Sequence, residues 1–547
     1  MKKIFLYCLP FCLLFASCSD LLDEESYSET GKGNYLNNAK EAETVLQGVY
    51  KNLANEYTYS YHLSLLFTIS TDIAQCEGSS TTSFREIPTN SHNASTSQIS
   101  RTWQQLYSAI YDANDFIETV SGRMDSWGSS DRELATIYLG EARALRALFY
   151  FELVRWYGNV VLMTSTADSR KKDEDYEQTA AKDVYAYIEE DLKYAAEVLP
   201  WAVDDTKRTS NAYRFSKGAA LGLLAKVYCT WAGYPVRDES KWAEAEKVAR
   251  RVVESGKHRL ISDYETVWKN TCNGIWDAGE SLIEVSFYSP TGLDSDNTAG
   301  RIGKWNGVSA TTIDGERGRN AANWKVVYTF TRDWEAQNDP RMKLSIADYK
   351  YDHTLGSGPI TYFSTISSAN PSEDQKNRQR QLFTPGKWDT EKYVETSNYI
   401  VNNDKSNVNW YILRYSDVLL LFAEALNESG GSIVDAVDAV NAVRRRGFGD
   451  TKHDLSYGLS REDLREAIRK ERAYELCFEG HRKQDLIRWG IYYDRVMETA
   501  QELVNWYSNA NYAVARYIIK GRHELLPIPQ RDLDMMPKCK QNSGWGQ

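Results

Sequence analysis

The residues with the most evident chemical potential lie close together near the C-terminus, in the segment 466–490. Glu471, Glu475 and Glu479 are spaced four apart, which predicts one ridge of a helix that ends at Gly480. Like charges at this spacing repel, so they need cationic partners. The segment supplies four candidates, Arg469, Arg472, Arg482 and Arg488. Because structural ion pairs are the commoner cause of clustered charges, we expect a partly buried ion network, with a catalytic acid at Glu471 or Glu475 as the alternative.

The rest of the sequence lacks the motifs of common catalytic and metal sites. Its seven histidines are scattered and form no HExxH, and neither a G-x-S-x-G elbow nor a P-loop occurs. Asp294, Asp296 and Asn297 lack the terminal glutamate of a calcium loop, so a solvated turn is expected. We therefore expect no cofactor and no enzyme. Two carboxylates suffice for a glycosidase, however, and the 76 acidic residues leave that alternative open.

Charge and aromatic content narrow the class of partner. The 547 residues include 65 basic and 76 acidic side chains, and without residues 1–17 the net charge is −13, from 63 basic against 76 acidic. Nucleic-acid binders need a basic footprint, so nucleic acid is not expected as a partner. The chain also has 36 Tyr and 16 Trp. This composition leaves neutral ligands such as sugars open.

The N-terminus reads as a targeting segment. Residues 1–17 combine two lysines with an apolar run too short to span a bilayer. The run ends in LFASC, which resembles a bacterial lipobox, so we expect lipidation at Cys18 and a polar tether over residues 18–36. The alternative is an ordinary secretory signal that is cleaved near Ser17.

Hydrophobic spacing divides the remainder into three regions. Apolar residues recur at three and four positions through 37–270, which indicates amphipathic helices, among them one that ends at Gly158. Inward-facing small residues such as Gly222 permit close helix contacts. Residues 271–409 are rich in Gly, Asn, Ser and Thr and read as loops with short strands. Helical spacing returns in 410–547, from Leu413 on. The pattern predicts an all-α protein of paired, tetratricopeptide-like helices with a loop-rich insertion.

Several segments, in a fixed order, resemble one family. They include EARALRALFYFELVRWYGNVVL (141–162), LRYSDVLLLFAEALNESGG (413–431) and ERAYELCFEGHRKQDLIRWG (471–490). These are similar to segments of the SusD/RagB family, the outer-membrane nutrient-binding lipoproteins of glycan uptake. The resemblance implies a SusD-like helical fold and non-catalytic capture of an oligosaccharide. It also implies a lipid anchor facing the cell exterior and a SusC-like TonB-dependent barrel as partner.

Aromatic side chains on loops are the expected sugar contacts, because a pyranose packs its C–H face on a ring while its hydroxyls seek polar groups. Seven tryptophans fall between 268 and 410. The candidates from the irregular region are Trp276, Tyr288, Trp305 and Trp324. The resemblance adds Asp72, Phe84 and Arg85, since family sugar sites also use the early loops. Trp103 is excluded, because TWQQLYSAIYDAN reads as helix.

Three functional readings remain. The first is capture of a glycan, the second is a helical surface glycosidase, and the third is a repeat protein that binds peptides. The glycan and its linkage cannot be read from the sequence, and pairing of Cys76 with Cys272 stays open.

Overall fold

The computed structural model describes residues 36–289 and 299–546. The predicted signal segment, the lipidation site Cys18 and nearly all of the tether lie outside the described residues. The same is true of Asp294, Asp296 and Asn297.

Helices form most of the described structure, and the strands are short. The helices are α1 (Ala39–Lys51), α2 (Ser97–Arg123), α3 (Ser129–Tyr157), α4 (Ala181–Val198), α5 (Lys217–Ala232), α6 (Lys241–Val253), α7 (Tyr264–Cys272), α8 (Tyr328–Glu335), α9 (Arg341–Ser345), α10 (Glu373–Arg380), α11 (Thr390–Tyr393), α12 (Tyr415–Ser429), α13 (Ile433–Phe448), α14 (Arg461–Glu475), α15 (Arg482–Arg488), α16 (Tyr492–Trp506) and α17 (Gln530–Met535). The strands are β1 (Ala74–Cys76), β2 (Val160–Val161), β3 (Gln178–Thr179), β4 (Ser281–Val285), β5 (Trp324–Val326), β6 (Ile346–Ala347), β7 (Tyr349–Tyr351), β8 (Pro359–Thr361), β9 (Thr384–Pro385) and β10 (Trp410–Arg414).

Consecutive helices pack in pairs and build one continuous frame. Helices α2 to α6 each contact the next in order, and α12 packs on α6, α13 and α14. The predicted close packing at small residues is present at Gly222. The Leu282, Leu413 and Val418 side chains leave no room for a Cβ there. Helix α3 ends at Gly158, whose φ of +72° is a glycine conformation. The all-α prediction is confirmed.

The loop-rich segment leaves and rejoins this frame at one strand pair. β4 and β10 are antiparallel, with Trp410 opposite Val285. The predicted return to helix at Leu413 is therefore early by two residues, because Leu413 still belongs to β10 and α12 begins at Tyr415. The pair holds the two ends of the insertion together, and the loops between them extend from a rigid base.

The helix predicted to end at Gly480 ends earlier. Helix α14 starts after Ser460, whose side chain accepts a hydrogen bond from the Asp463 amide, and stops at Glu475. A turn follows, in which Phe478 has φ +66° and Gly480 has φ +81°. Glu479 therefore lies on this turn, and only Glu471 and Glu475 share the helix ridge.

These glutamates are buried in an ion network, as the charge pattern predicts. Arg341 Nη1 donates to Glu471 at 2.7 Å and to Glu475 at 3.0 Å. Arg414 donates to Glu475 at 2.9 Å and to Glu479 at 2.7 Å. Because Arg341 lies in α9 and Arg414 in β10, the network joins the insertion to α14. Such a network costs desolvation energy and specifies one packing more than it adds stability.

The predicted pairing of these glutamates with arginines of the same segment is wrong. The four arginines of the segment bind other acids: Arg469 contacts Glu466, Arg472 contacts Asp417 and Asp485, Arg482 contacts Asp72, and Arg488 contacts Glu424. Neighbouring positions on a helix face different directions, so the glutamates and these arginines meet different elements. The partners of the glutamates come from far along the chain, which local spacing cannot reveal.

Most tryptophans of the loop region are core residues. Trp276 and Trp305 are only partly buried. The other five are at most 3% exposed: Trp268, Trp324, Trp334, Trp388 and Trp410. Trp103 is also buried, as expected. The aromatic load of the insertion therefore serves chiefly to fill its interior.

The five cysteines of the described chain, Cys76, Cys229, Cys272, Cys477 and Cys539, are buried and free, so Cys76 and Cys272 do not pair. Over residues 36–289 and 299–546, every helix is too short or too polar to cross a bilayer.

Candidate functional site

Loops that are distant in sequence meet at one edge of the insertion. They are the segments 55–62, 76–85, 299–306 and 318–324. The Arg301 amide donates to the Ser60 carbonyl at 3.0 Å, and the Trp324 amide donates to the Trp305 carbonyl at 3.0 Å. Since these are backbone bonds, they fix where the side chains of the loops project.

Three aromatic rings meet at this edge, and we call Tyr61, Phe84 and Trp305 the ring cluster. The Trp305 ring centroid lies 4.9 Å from that of Tyr61 and 4.9 Å from that of Phe84. The Phe84 contact is edge-on, at 81°. Tyr61 is buried, whereas Phe84 and Trp305 are partly exposed. The loops thus present an aromatic surface with a buried support, which suits the C–H face of a ring-shaped ligand.

Two arginines flank the ring cluster. The Arg301 guanidinium lies 4.6 Å from the Tyr61 ring and 5.3 Å from the Trp305 ring, and it pairs with Glu56 at 2.6 Å. These contacts are cation–π distances. They hold the guanidinium against the aromatic surface.

The second arginine is Arg85. Its guanidinium lies 4.4 Å from the Phe84 ring, and its Nε donates to the Glu77 carbonyl at 2.9 Å. The remaining guanidinium nitrogens carry further donors. The cluster therefore has a positively charged, hydrogen-bonding group on each side.

Unpartnered polar atoms mark the same place. In the part of the chain that the structure describes, Tyr61 Oη, Arg301 Nε and Trp305 Nε1 are buried without a hydrogen-bond partner. Buried polar atoms normally have one. Burial also raises the pKa of Tyr61, so its hydroxyl keeps its proton at neutral pH. All three groups are hydrogen-bond donors.

A buried lysine supports the loop behind Trp305. Lys304 Nζ donates to the Gly318 carbonyl at 3.0 Å. Desolvation lowers the pKa of Lys304 to about 8. The side chain thus binds protein carbonyls and acts as a support for the site.

Asp72 is engaged in ion pairs within the protein and lies apart from the ring cluster. It is 3% exposed, and its carboxylate accepts from Arg482 at 2.9 and 2.7 Å and from Arg495 at 3.1 Å. Burial favours the protonated acid, but the two guanidiniums outweigh it and lower the pKa of Asp72. Its hydrogen-bonding capacity is used to attach the early loops to the C-terminal helices.

Trp324 is also not available to a ligand. It is 3% exposed and lies in β5, opposite Cys76 of β1. The Glu77 amide continues this pairing with a 2.7 Å bond to the Asn323 carbonyl. Trp324 lies beneath the loops that carry Phe84 and Trp305, so it supports the site from inside.

Trp276 and Tyr288 lie elsewhere. Tyr288 is 65% exposed, and Trp276 is partly buried with its ring 6.3 Å from that of Tyr213. Neither has a ring contact with Trp305. Of the seven predicted contacts, the structure brings together Phe84, Arg85 and Trp305. It places Tyr288 in a separate groove, and Trp276 lies beside Tyr213 of that groove.

The sequence analysis did not predict two residues at this site, Tyr61 of the ring cluster and the flanking Arg301. Tyr61 belongs to the run YTYSYH, whose density of aromatics is a usable signal. Arg301 stands four residues before Trp305, in a stretch without regular periodicity, so the sequence carries no signal for it.

Metal ligation finds no support in this region. Among residues 36–289 and 299–546, no three His, Cys, Asp or Glu side chains are grouped so that they could hold a metal ion.

Comparison with known proteins identifies the family of this chain. A profile described as starch-binding and associating with the outer membrane matches residues 20–229, and the SusD family profile matches residues 294–545. The fold and these profile matches define a class of carbohydrate-binding proteins. Within that class, the chain belongs to the SusD/RagB family.

Individual relatives support the assignment. A solved SusD homologue from Bacteroides thetaiotaomicron is 54% identical, with a TM-score of 0.91, over 95% of this chain and 100% of its own. SusD-like protein P2 of Formosa agariphila is 27% identical over 89% of this chain and 91% of its own. Surface glycan-binding protein A of Bacteroides fluxus is 20% identical, with a TM-score of 0.70, over 92% of this chain and 99% of its own, and this likeness concerns the fold alone.

Proposed function

We propose that this protein captures a neutral oligo- or polysaccharide at the ring cluster and does not cleave it. The observation that carries the proposal is the partly exposed Trp305 ring, which lies between Tyr61 and Phe84 and is flanked by two guanidiniums. A pyranose stacked on Trp305 would bury its C–H face. Its hydroxyls would then lie within reach of Arg85 and Arg301.

The buried carboxylates speak against the glycosidase alternative. Glu471 and Glu475, the acids considered for catalysis, are at most 1% exposed and are bound by arginines. Burial would raise the pKa of Glu475, but the Arg446, Arg414 and Arg341 guanidiniums outweigh it and lower that pKa to about 2. A carboxylate in this state cannot donate a proton at neutral pH.

Delivery completes the proposal. The protein would be held at the outer membrane, facing the cell exterior, by lipid on Cys18, and it would pass the glycan to a SusC-like TonB-dependent barrel. The LFASC sequence and the matched description of outer-membrane association support this part.

Isothermal titration with a panel of neutral glycans tests capture. Trp305→Ala should weaken binding about tenfold or more, as truncation of a central aromatic contact does at interfaces. Trp242→Ala, which removes a partly buried tryptophan from α6, is the matched control and should bind as the wild type does. Equal affinity of the wild type and Trp305→Ala for every glycan that binds would refute the site.

Two further measurements test the absence of catalysis and the location. A reducing-sugar assay with the bound glycan should detect no release, and turnover would make the protein an enzyme. Cys18→Ala should shift the protein from the membrane to the soluble fraction and abolish co-purification with the barrel from membranes. Unchanged membrane association would contradict the lipid anchor.

A further inference from the structure

A second groove lies apart from the ring cluster. It has a volume of about 430 Å³ and lies between the end of α1, the turn before α5 and the end of β4. We call it the tyrosine groove, after Tyr50, Tyr213 and Tyr288. Leu53, Ala54 and Val285 add apolar surface to its wall. Its volume falls within the range of small-ligand sites.

Two tyrosines of the groove are unusual, one in its exposure and the other in its backbone conformation. Tyr288 is 65% exposed, although large apolar rings are usually covered. Tyr213 has φ +60°, a left-handed conformation that is costly for a bulky residue and is concentrated at functional sites. Its hydroxyl is fixed by donation to the Gly274 carbonyl. The Trp276 ring, 6.3 Å from that of Tyr213, extends the aromatic surface beyond the groove.

Ion pairs within the protein engage two charged side chains of the groove wall. Arg214 pairs with Glu43 and, at 2.8 Å, with Glu141. Lys51, which is exposed, adds a cation to the lining of the groove.

Glu284 also lines the groove. It is buried and accepts hydrogen bonds from Ser281 Oγ at 2.7 Å and from Asn409 Nδ2 at 2.8 Å. Burial raises the pKa of Glu284 to about 7, so a large fraction is uncharged at neutral pH. Exposed rings beside a partly protonated carboxyl group offer a stacking surface and a polar partner to a hydroxylated ligand.

Contacts along the chain connect the groove to the surroundings of the ring cluster. Glu56 follows the groove residue Ala54 by two positions and pairs at 2.6 Å with Arg301, which flanks the ring cluster. The Phe287 ring, next to Tyr288, packs so closely on Gly300 that a Cβ there would clash. These contacts connect the chain segments that carry the two sites.

We propose that the tyrosine groove is a second sugar-binding subsite, which holds neutral pyranose units of the same glycan that the ring cluster holds. The inference rests on the proposed function. Two linked subsites would raise the affinity for a long chain above that for a short one, because the second contact becomes intramolecular.

Titration of variants with malto-, laminari-, xylo- and manno-oligosaccharides and their parent polysaccharides tests the inference. Tyr288→Ala should lower the affinity for the bound polysaccharide about tenfold. In a Trp305→Ala background, it should also remove the residual binding of short oligosaccharides. Tyr517→Ala, an exposed tyrosine elsewhere at 43% exposure, is the matched control and should change neither. Circular dichroism should show all variants folded.

The outcomes separate the two proposals. If Trp305→Ala weakens binding while Tyr288→Ala binds polysaccharide as the wild type does, the second subsite is wrong and the proposed function stands. An equal effect of Tyr517→Ala and Tyr288→Ala would also overturn the subsite. Loss of binding to a protein partner in Tyr288→Ala, with wild-type sugar binding, would assign the groove to that partner instead.

Discussion

Asp72 and Arg482 are joined by two hydrogen bonds, from Nε to Oδ1 at 2.9 Å and from Nη2 to Oδ2 at 2.7 Å, across 410 residues of sequence. This ion pair attaches an early loop to the C-terminal helices. Asp72 is buried at 3% exposure and Arg482 is partly buried, so removing the carboxylate leaves the guanidinium without its acid.

We therefore expect Asp72→Ala to lower the free energy of unfolding by about 3 kcal/mol, since it leaves Arg482 without its carboxylate, whereas Arg495 keeps Glu498 and Glu502 as partners. Chemical denaturation measures this change. Asp494→Ala is the control, because its partner Lys520 is exposed, and it should leave stability unchanged. Wild-type stability in Asp72→Ala would show that the pair is not a structural bond.

The ion network around Glu475 should determine how the free energy of unfolding falls at acid pH. The pKa of Glu475 is lowered to about 2, so the folded state binds its proton less readily than the unfolded state does. A lowered pKa contributes stability above the unfolded value of about 4.3, and this contribution is lost as the pH falls towards 2. The shift corresponds to about 3 kcal/mol.

Glu475→Gln should accordingly lower stability at pH 7 and reduce the further loss between about pH 4.3 and 2. Denaturation curves at several pH values test this. A variant that keeps the full wild-type loss over that range would show that other acids produce it.

Features set by residues close together in the sequence could be predicted for this protein, whereas features set by long-range contacts could not. Helices with internal periodicity, such as α3 and α5, were predictable because their apolar faces repeat every three to four residues. Trp305 and Trp324 could not be told apart, since the sequence around each has a similar composition. What separates them is the pairing of Trp324 with Cys76, a contact across about 250 residues that no local pattern encodes.

The same limit applies to charge. The burial of Glu475 was predictable from its aromatic neighbours, whereas its partners Arg341 and Arg414 are 134 and 61 residues away. Long-range pairs of this kind are fixed by the packing of the insertion on the frame, which only the structure shows.

Glu284 should make the free energy of unfolding depend on pH in the direction opposite to that of Glu475. Burial raises its pKa to about 7, so the folded state holds the proton that the unfolded state releases near pH 4.5. The group therefore favours folding below that value, and its contribution is lost as the pH rises to about 7. Glu284→Gln, which stays neutral, should be more stable than the wild type at pH 8 by about 3 kcal/mol and similar to it at pH 4. Thermal unfolding at both pH values measures the difference, and an equal difference at both would contradict the raised pKa.

The two tryptophans offer the sharpest test of the site. Trp324 is buried at 3% exposure, so Trp324→Ala should destabilise the fold by about 3–5 kcal/mol, as expected for a large core truncation. Its folded fraction should bind glycan nearly as the wild type does, because the ring does not reach the surface. Trp305→Ala should do the reverse, with weakened binding and a smaller loss of stability, since its ring is partly exposed. Titration and denaturation of both variants separate the two effects. If folded Trp324→Ala protein binds glycan more weakly than the wild type does, Trp324 contacts the ligand and the supporting role is wrong.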